Sequence, residues 1–408
     1  MRVLVVSTHY RPDAIGGYEI ECAAVVEHLA ARHELLVLTS GSERYAGEVG
    51  PRIEVRRELT LLSPDHRGSL RAPAAALGGT RAARRALAWG PDLVYAWNGA
   101  AIPHAALRVL ADSPVPLAFR VCEHWFGGIF WRDQFMRELL PARRAPARAI
   151  WAAACRAWNT LPALRLQPTA PVRTAVSWNS DALRRLVKVP PFIDTVLERV
   201  EHAVPPRGDL YAAVERHPNE WPELVFVGRI TPQKGVSVAI EALARLRARH
   251  EIPAKLVLAG PAEESYEREL RRLAEQLDVA GALNWRGPVP PEEVAQLLAG
   301  ASAMIVPSTW DEPLGLVMIE GALARVPLVA SDVGGIGEAM IDEEHALLFP
   351  RGDANAAADA LLRTVRETEQ TAARVGRAYE RAQSFRLGPY LANQERFVFD
   401  AVSALRGR

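Results

Sequence analysis

The sequence predicts an α/β protein with two doubly wound parallel sheets facing a central cleft. Its length of 408 residues suggests two or three domains of about 150 residues each. Short apolar strands alternate with helical stretches in both halves, and a proline-rich segment separates the halves. Because ligands of such sheets lie at the carboxyl ends of the strands, functional residues are expected in the loops that follow strands.

The first domain is predicted over residues 1–202. A strand is indicated at 3–7 and a helix at 18–31, with paired glycines in the loop between them. Further strands are predicted at 35–39, 53–56, 93–96, 117–121 and 172–177. Since these strands are continuously apolar, they indicate a parallel sheet covered by helices on both faces.

A linker is predicted at 203–221, where proline, glycine and charged residues replace the alternating pattern. The second domain follows over residues 222–385. Its strands are predicted at 224–227, 255–259, 283–285, 304–306, 328–330 and 347–349. Its helices are predicted at 236–249, 264–276 and 291–298, with another from about residue 314. Residues 386–408 predict a final helix with no strand after it.

Composition narrows the class of protein. The 49 lysines and arginines nearly balance the 48 acidic residues, and a net charge of +1 argues against a nucleic-acid binder steered by bulk charge. Three widely separated cysteines, Cys22, Cys122 and Cys155, argue against a disulfide framework and for a reducing compartment. The N-terminus lacks a signal-peptide pattern, and no apolar run reaches the roughly 18 to 20 residues of a membrane span, so a cytoplasmic protein is predicted.

The sharpest motif follows the strand predicted at 304–306. Glu312 lies in a loop, and Glu320 follows eight residues later on the next helix. The first amides of that helix have no intrahelical acceptor, so they predict an anion site reinforced by the helix dipole. Gly315, Leu316 and Val317 are predicted to present these amides, and Leu314, just before them, is predicted to line the same site. A diphosphate there would have one carboxylate on each side. The spacing alone fits equally well an alternative without a ligand, in which the first glutamate is favoured by the helix dipole and the second is simply exposed to solvent.

Two other loops carry weaker signals. After the strand at 224–227, Arg229 and Lys234 lie five residues apart on a loop that opens a helix. Two cations so placed can stabilise a diphosphate as its leaving charge develops, although a solvated basic loop is the alternative. Gly16 and Gly17 would allow the backbone to approach a phosphate or sugar closely, but a glycine pair by itself is a weak indication.

Together these residues resemble glycosyltransferase family 4, the retaining nucleotide-sugar transferases of the GT-B fold with two Rossmann-like domains. The Glu-x7-Glu motif of that family corresponds to Glu312 and Glu320. The resemblance is specific over about 224–361 and looser over 1–200. It implies that Arg229 and Lys234 bind the donor diphosphate, that Glu312 holds the donor sugar and that Glu320 binds the ribose.

The resemblance implies further roles for glycines and backbone groups. Arg286 and Gly287 would lie against the nucleotide base, mostly through backbone atoms. Gly16 and Gly17 would close over the diphosphate, and the amides of 315–317 would bind its phosphates. The C-terminal helix would cross back onto the first domain.

One departure from the family pattern concerns the residue beside the reacting sugar. Family members often carry a His-Asp pair after the strand matching 117–121, whereas this chain has Cys122, Glu123 and His124 there. Alignment on the neighbouring aromatic residue selects Cys122 and Glu123, and alignment on the imidazole selects His124. We favour His124 as the catalytic sugar contact, with a structural polar residue as the alternative.

The remaining predictions concern metals and acceptors. No Asp-x-Asp occurs and no zinc-like spacing is seen, so no metal site and no cofactor beyond the nucleotide-sugar co-substrate is predicted. The aromatic stretch from Trp125 to Trp131 is a candidate acceptor wall. The Arg/Trp-rich segment from Arg143 to Arg165 could contact anionic lipid at the inner membrane face, although inward-packed tryptophans are the alternative.

The sequence therefore predicts a metal-independent, retaining transferase that moves a sugar from a UDP- or GDP-sugar to an acceptor hydroxyl. The acceptor is left open as a sugar, a lipid-linked group or a small molecule. A nucleotide-sugar epimerase or phosphorylase on the same fold is one alternative, and a non-catalytic nucleotide-sugar-binding protein is the other.

Overall fold

A computed structural model describes residues 1–13, 16–41, 47–62, 71–130, 165–219 and 222–407. The chain divides into two compact units. Unit 1 comprises residues 1–179, 183–201 and 388–408, and unit 2 comprises 180–182 and 202–387. Residues 203–221, interpreted from the sequence as a linker, thus group with unit 2.

Unit 1 contains, within the described residues, an eight-stranded sheet ordered β3-β4-β2-β1-β5-β6-β7-β8. The strands are β1 (Arg2–Val6), β2 (Glu34–Leu38), β3 (Gly47–Gly50), β4 (Ile53–Arg56), β5 (Leu93–Ala96), β6 (Leu117–Val121), β7 (Val172–Trp178) and β8 (Ile193–Val200). All neighbouring strands are parallel except the edge pair β3 and β4. Strands β5 and β6 are buried at every position, as expected of central parallel strands.

The helices of unit 1 are α1 (Gly17–Ala30), α2 (Arg71–Leu87), α3 (His104–Ala111) and most of α4 (Asp181–Leu186). A short 3-10 helix, His124–Gly128, follows β6. Strands β3 and β8 were not predicted from the sequence. Strand β3 is a short glycine-bounded edge, and β8 has mostly half-exposed side chains, so neither shows the apolar run that marks the other strands.

Unit 2 contains a fully parallel six-stranded sheet, within the described residues, ordered β11-β10-β9-β12-β13-β14. Its strands are β9 (Glu223–Val227), β10 (Lys255–Ala259), β11 (Leu283–Gly287), β12 (Ala303–Val306), β13 (Leu328–Ser331) and β14 (Leu347–Phe349). Its helices are α5 (Gly208–Ala212), α6 (Val236–His250), α7 (Glu264–Gln276), α8 (Pro291–Gly300), α9 (Leu316–Leu323), α10 (Ile336–Ala339), α11 (Ala354–Arg366) and α12 (Thr368–Ala382). The core joins apolar side chains of α6 and α11 to those of the sheet.

The final helix, α13 (Leu387–Arg406), groups with unit 1 almost entirely. The Tyr95 hydroxyl donates to Gln394 Oε1 at 2.6 Å, and the Tyr390 hydroxyl donates to Glu21 of α1. Arg32 donates to both carboxylate oxygens of Glu395 at 3.0 and 3.1 Å. These contacts attach the end of the chain to the first sheet domain. No helix among the described residues is both long and apolar enough to cross a membrane.

Candidate functional site

The candidate site lies at the topological switch point of the unit 2 sheet. Strands β9 and β12 are neighbours there, although about 75 residues of sequence separate them, and the strand order runs in opposite directions from this pair. A crevice forms where the loops after two such strands diverge. The loop after β9 carries Arg229 and Lys234, and the loop after β12 carries Glu312. The fold thus brings together motifs that the sequence places far apart.

The β9 loop is fixed against the β12 loop by a close backbone approach. Residues Pro232–Lys234 form one 3-10 turn that ends at Gly235, whose φ is +67°. A Cβ on Gly235 would overlap the carbonyl oxygen of Pro307, so only glycine allows this approach. A hydrogen bond also joins the two loops: the Thr309 amide donates to the Gln233 carbonyl at 2.8 Å. Arg229, earlier in the loop, is exposed.

Lys234, Glu312 and Ser308 form a compact hydrogen-bonded cluster, which we call the Glu312 cluster. The Lys234 ammonium donates to Glu312 Oε1 at 2.7 Å, and the Ser308 hydroxyl donates to the same oxygen at 2.5 Å. Glu312 and Ser308 are buried, with 5% and 1% exposure, whereas the Lys234 side chain keeps 24%. The Lys234 ammonium also lies 5.5 Å from the ring centre of Trp310. Both donors reach Oε1, so Oε2 is the oxygen left for a ligand hydroxyl.

The backbone of the Glu312 loop is held from two other segments. The Gly335 amide donates to the Glu312 carbonyl at 2.7 Å, and the Ser180 hydroxyl donates to the Pro313 carbonyl. Gly334 has φ of +55°, and a Cβ there would overlap the Glu312 backbone. These contacts orient the loop without using the Glu312 carboxylate.

Helix α9 begins at Leu316, two residues later than the sequence indicates. Gly315 is its N-cap in the left-handed conformation, with φ of +82°, and its carbonyl accepts the Met318 amide at 2.9 Å. The first-turn amides of Leu316 and Val317 therefore lie at the helix N-terminus, where partial positive charge is concentrated. Leu314 is buried at 1% exposure and acts as packing before the helix.

Glu320 lies one turn into α9 and is half-buried. Burial raises the pKa of its carboxyl group to about 7. Helix α5 packs against α9 and contributes the buried Tyr211, whose pKa is raised by burial and by the charge of Glu320. Glu320 therefore changes charge near neutral pH, a property that the sequence does not reveal.

Arg286 and Gly287 end β11. The Arg286 guanidinium is paired with Glu293 in the first turn of α8, so its side chain has a structural partner within unit 2. The Gly287 carbonyl accepts the Gly260 amide at 2.8 Å. The expected contact with a base through backbone atoms stays a prediction.

The residues predicted in unit 1 occupy strand ends and a helix start. Gly16 is the N-cap of α1, where its amide donates to Glu19 Oε2 at 2.8 Å, and Gly17 is the first helical residue. His124 opens the 3-10 helix and is half-buried, as is Glu123. Cys122 is buried, and burial raises the pKa of its thiol. Their roles toward a sugar or diphosphate stay predictions.

A cluster around Glu338 was not anticipated from the sequence. The Glu338 carboxylate accepts the amides of Asp181 and Ala182, both at 2.8 Å, and lies 2.6 Å from the imidazole Nε2 of His202. Since Ser180 bonds the Glu312 loop, Glu338 secures the segment that holds that loop. The only signal in the sequence is that Glu338 closes the Gly-Gly-Ile-Gly-Glu turn.

Two predictions fall wholly or partly outside the described residues. The segment from Arg143 to Arg165 lies there except for Arg165, and the candidate acceptor wall is described only up to Phe130. Trp125 and Phe126 are buried beside Phe119, an arrangement typical of core packing. Among the described residues, no group of three or more His, Cys, Asp or Glu side chains could hold a metal ion.

Comparison with known proteins gives one family match. Residues 209–381 match the family described as glycosyl transferases group 1. A D-inositol 3-phosphate glycosyltransferase from Corynebacterium urealyticum is 34% identical over 149 residues, which cover 36% of this chain and 35% of that protein. A glycogen synthase from Mycobacterium tuberculosis is 39% identical over 165 residues, covering 40% and 38% respectively. The chain thus matches little more than a third of the length of these relatives.

Similar solved structures extend over the whole chain. Sucrose-phosphate synthase from Thermosynechococcus elongatus superposes with a TM-score of 0.73 at 20% identity, covering 99% of both chains. HepE from Anabaena, in complex with UDP and glucose, superposes with a TM-score of 0.64 at 19% identity, covering 98% of this chain and 100% of that one. At such identities the likeness establishes the fold alone.

Proposed function

We propose that this chain transfers a sugar from a nucleoside-diphosphate sugar to an acceptor hydroxyl, since its residues 209–381 match the glycosyl transferases group 1 family and its fold is the two-domain GT-B fold. The observation that carries the proposal is the Glu312 cluster at the switch point. A cation and a carboxylate lie there beside the N-terminus of α9. This combination suits a ligand with an anionic diphosphate and a neutral, hydroxyl-rich sugar.

The donor diphosphate is proposed to bind Arg229, Lys234 and the amides of residues 315–317. As the bond between the sugar C1 and the phosphate oxygen breaks, its electron pair moves onto the diphosphate. Cations and aligned amides stabilise this developing charge. The acceptor oxygen forms the new bond to C1 on the same face, and its proton passes to the departing phosphate oxygen. The configuration at C1 is thereby retained without a protein nucleophile or a metal.

The two glutamates are proposed to hold the neutral parts of the donor. Glu312 Oε2 accepts sugar hydroxyls, and Glu320 accepts the ribose hydroxyls. The backbone at Arg286 and Gly287 lies against the base. UDP is the first nucleotide to test, because the structurally similar HepE forms complexes with UDP and with UDP-glucose. A phosphorylated sugar or cyclitol is a reasonable first acceptor, because sucrose-phosphate synthase and D-inositol 3-phosphate glycosyltransferases are similar to this chain. Lipid-linked acceptors, with peripheral membrane contact through the segment from Arg143 to Arg165, remain part of the proposal.

A thermal-shift panel of UDP, GDP, ADP and TDP, each with and without Mg²⁺, tests the donor assignment. One nucleoside diphosphate is expected to stabilise the protein by about 2.7 kcal/mol at a hundredfold excess over its Kd. Mg²⁺ should add nothing. Stabilisation by none of the four would contradict the proposed function, and stabilisation only with Mg²⁺ would contradict metal independence.

Product analysis then separates a transferase from the other enzymes of this fold. Nucleoside diphosphate release should require an acceptor, and the product should keep the anomeric configuration of the donor in its NMR coupling constant. An isomerised sugar or a sugar phosphate formed without acceptor would instead favour an epimerase or a phosphorylase. Inverted product would overturn the retaining mechanism.

Affinity for the nucleotide-sugar is expected to fall as the pH is lowered from 8 to 6. The pKa of Glu320 is about 7, so its carboxylate is mostly ionised at the higher pH and mostly protonated at the lower. An ionised carboxylate accepts stronger hydrogen bonds from hydroxyls, so the Kd should rise, by at most about tenfold. Calorimetric titration across this range measures the change. The Glu320→Gln variant, which has no charge to lose, should bind with little pH dependence; equal slopes in both proteins would refute the role of Glu320.

A further inference from the structure

We propose that Ser308 is a positioning residue that holds the Glu312 carboxylate when the donor diphosphate draws Lys234 away. This inference rests on the proposed function and deepens it. It concerns the hydrogen bond from the Ser308 hydroxyl to Glu312. Within the described residues, this is the one bond in the Glu312 cluster whose donor is both buried and uncharged.

The geometry makes Ser308 a dedicated partner of the carboxylate. Its hydroxyl donates to Glu312 Oε1 at 2.5 Å, and the side chain is 1% exposed, so water cannot readily replace that bond. Ser308 directly follows Pro307, whose carbonyl packs closely against Gly235. Because of this packing, the backbone that carries the Ser308 hydroxyl is held in place. The bond is made to Oε1, the oxygen that Lys234 also bonds, so Oε2 is the oxygen proposed to accept the sugar hydroxyls.

Lys234, in contrast, has two proposed partners. Its ammonium is 2.7 Å from Glu312 Oε1, and the same ammonium is proposed to stabilise the diphosphate. When the diphosphate binds, its negative charges compete for the ammonium. Glu312 is 5% exposed, and a buried carboxylate without donors is strongly disfavoured. Ser308 is uncharged and buried, so it stays on Oε1 and keeps the carboxylate oriented toward the sugar.

This arrangement predicts that Ser308 matters for the sugar but not for the nucleotide. Binding of UDP or GDP alone requires no Glu312 contact, so Ser308→Ala should bind the nucleoside diphosphate with unchanged affinity. Turnover of the corresponding nucleotide-sugar should drop roughly 10- to 100-fold, as expected for a lost hydrogen bond to a charged group. Most of the drop should appear in kcat rather than in the donor KM. Ser308→Thr, which keeps a hydroxyl, should recover part of the turnover.

Ser331→Ala is the matched control. Ser331 is fully buried at the carboxyl end of the adjacent strand β13, and its hydroxyl has no hydrogen-bond partner among the described residues. Its removal should leave kcat within about twofold of the wild type.

The role of Ser308 is tested on the full chain, in the wild type, Ser308→Ala and Ser308→Thr. Calorimetry measures the Kd for UDP and GDP, and steady-state kinetics measures kcat and KM with UDP-glucose and GDP-mannose. Unchanged nucleotide affinity with a kcat loss that threonine partly restores supports the proposal. Full turnover in Ser308→Ala overturns it, as does an equal loss of nucleotide affinity, which would indicate general damage to the site. If the wild type binds no nucleoside diphosphate at all, the proposed function fails instead.

Discussion

Lys234→Ala is expected to lower turnover about 100- to 1000-fold, far more than it weakens donor binding. Its ammonium is the cation already seated in the Glu312 cluster, 2.7 Å from Glu312 Oε1 and 5.5 Å from the Trp310 ring centre. A cation that meets the diphosphate stabilises it most when the full leaving charge has developed, so the loss falls on the transition state. Steady-state kinetics with the nucleotide-sugar identified by the thermal-shift panel measures kcat and KM separately.

Two variants control this experiment. Lys255→Ala removes an exposed lysine at the first residue of β10, away from the strand ends that carry the site, and should leave kcat unchanged. Lys234→Arg keeps the charge but not the shape of the donor, and should retain more turnover than alanine. Equal turnover in Lys234→Ala and the wild type would remove Lys234 from the leaving-group step.

The resemblance to glycosyltransferase family 4 is confirmed over residues 209–381 by the family match, and the predicted GT-B fold is confirmed by the two sheets and by the similar structures. These features were predictable because apolar strands and glycine-rich loops are local properties of the sequence. Arg229, Lys234 and Glu312 could be placed in loops after strands for the same reason. That β9 and β12 are neighbours follows from sheet topology, and no local pattern reveals it.

The supporting contacts could not be predicted, since each joins residues that are distant in the sequence. Ser180 reaches Pro313 across 133 residues, and Glu338 accepts amides 156 and 157 residues away. The start of α9 at Leu316 depends on Gly315 adopting a left-handed conformation, which propensity alone does not determine. The pKa of Glu320 depends on burial by the folded chain.

A buried ion pair in unit 1 is another feature that could not be predicted from the sequence. Arg120 on β6 is fully buried and donates to Glu21 of α1 at 2.8 Å. That bond comes from Nη2, and Nη1 donates to the carbonyls of Trp178 and Glu201 and to the Ser177 hydroxyl, at 2.8 to 3.0 Å. The sequence shows Arg120 only as a charged residue interrupting an apolar strand. The contacts link β6, α1 and the strand β7, and the Tyr390 hydroxyl of α13 completes the network through Glu21.

Arg120→Ala is therefore expected to lower the free energy of unfolding of unit 1 by about 3–5 kcal/mol, because it leaves the Glu21 carboxylate buried without its cation. Arg32→Ala is the matched control: Arg32 also bonds a carboxylate, that of Glu395 on α13, but its side chain is 71% exposed, so its loss should cost less than about 1 kcal/mol. Equilibrium urea unfolding measures both. The double variant Glu21→Leu with Arg120→Met removes both charges and should regain much of the stability lost by Arg120→Ala. If the double variant is no more stable than Arg120→Ala, the cost lies in lost packing and backbone bonds rather than in the unpaired carboxylate.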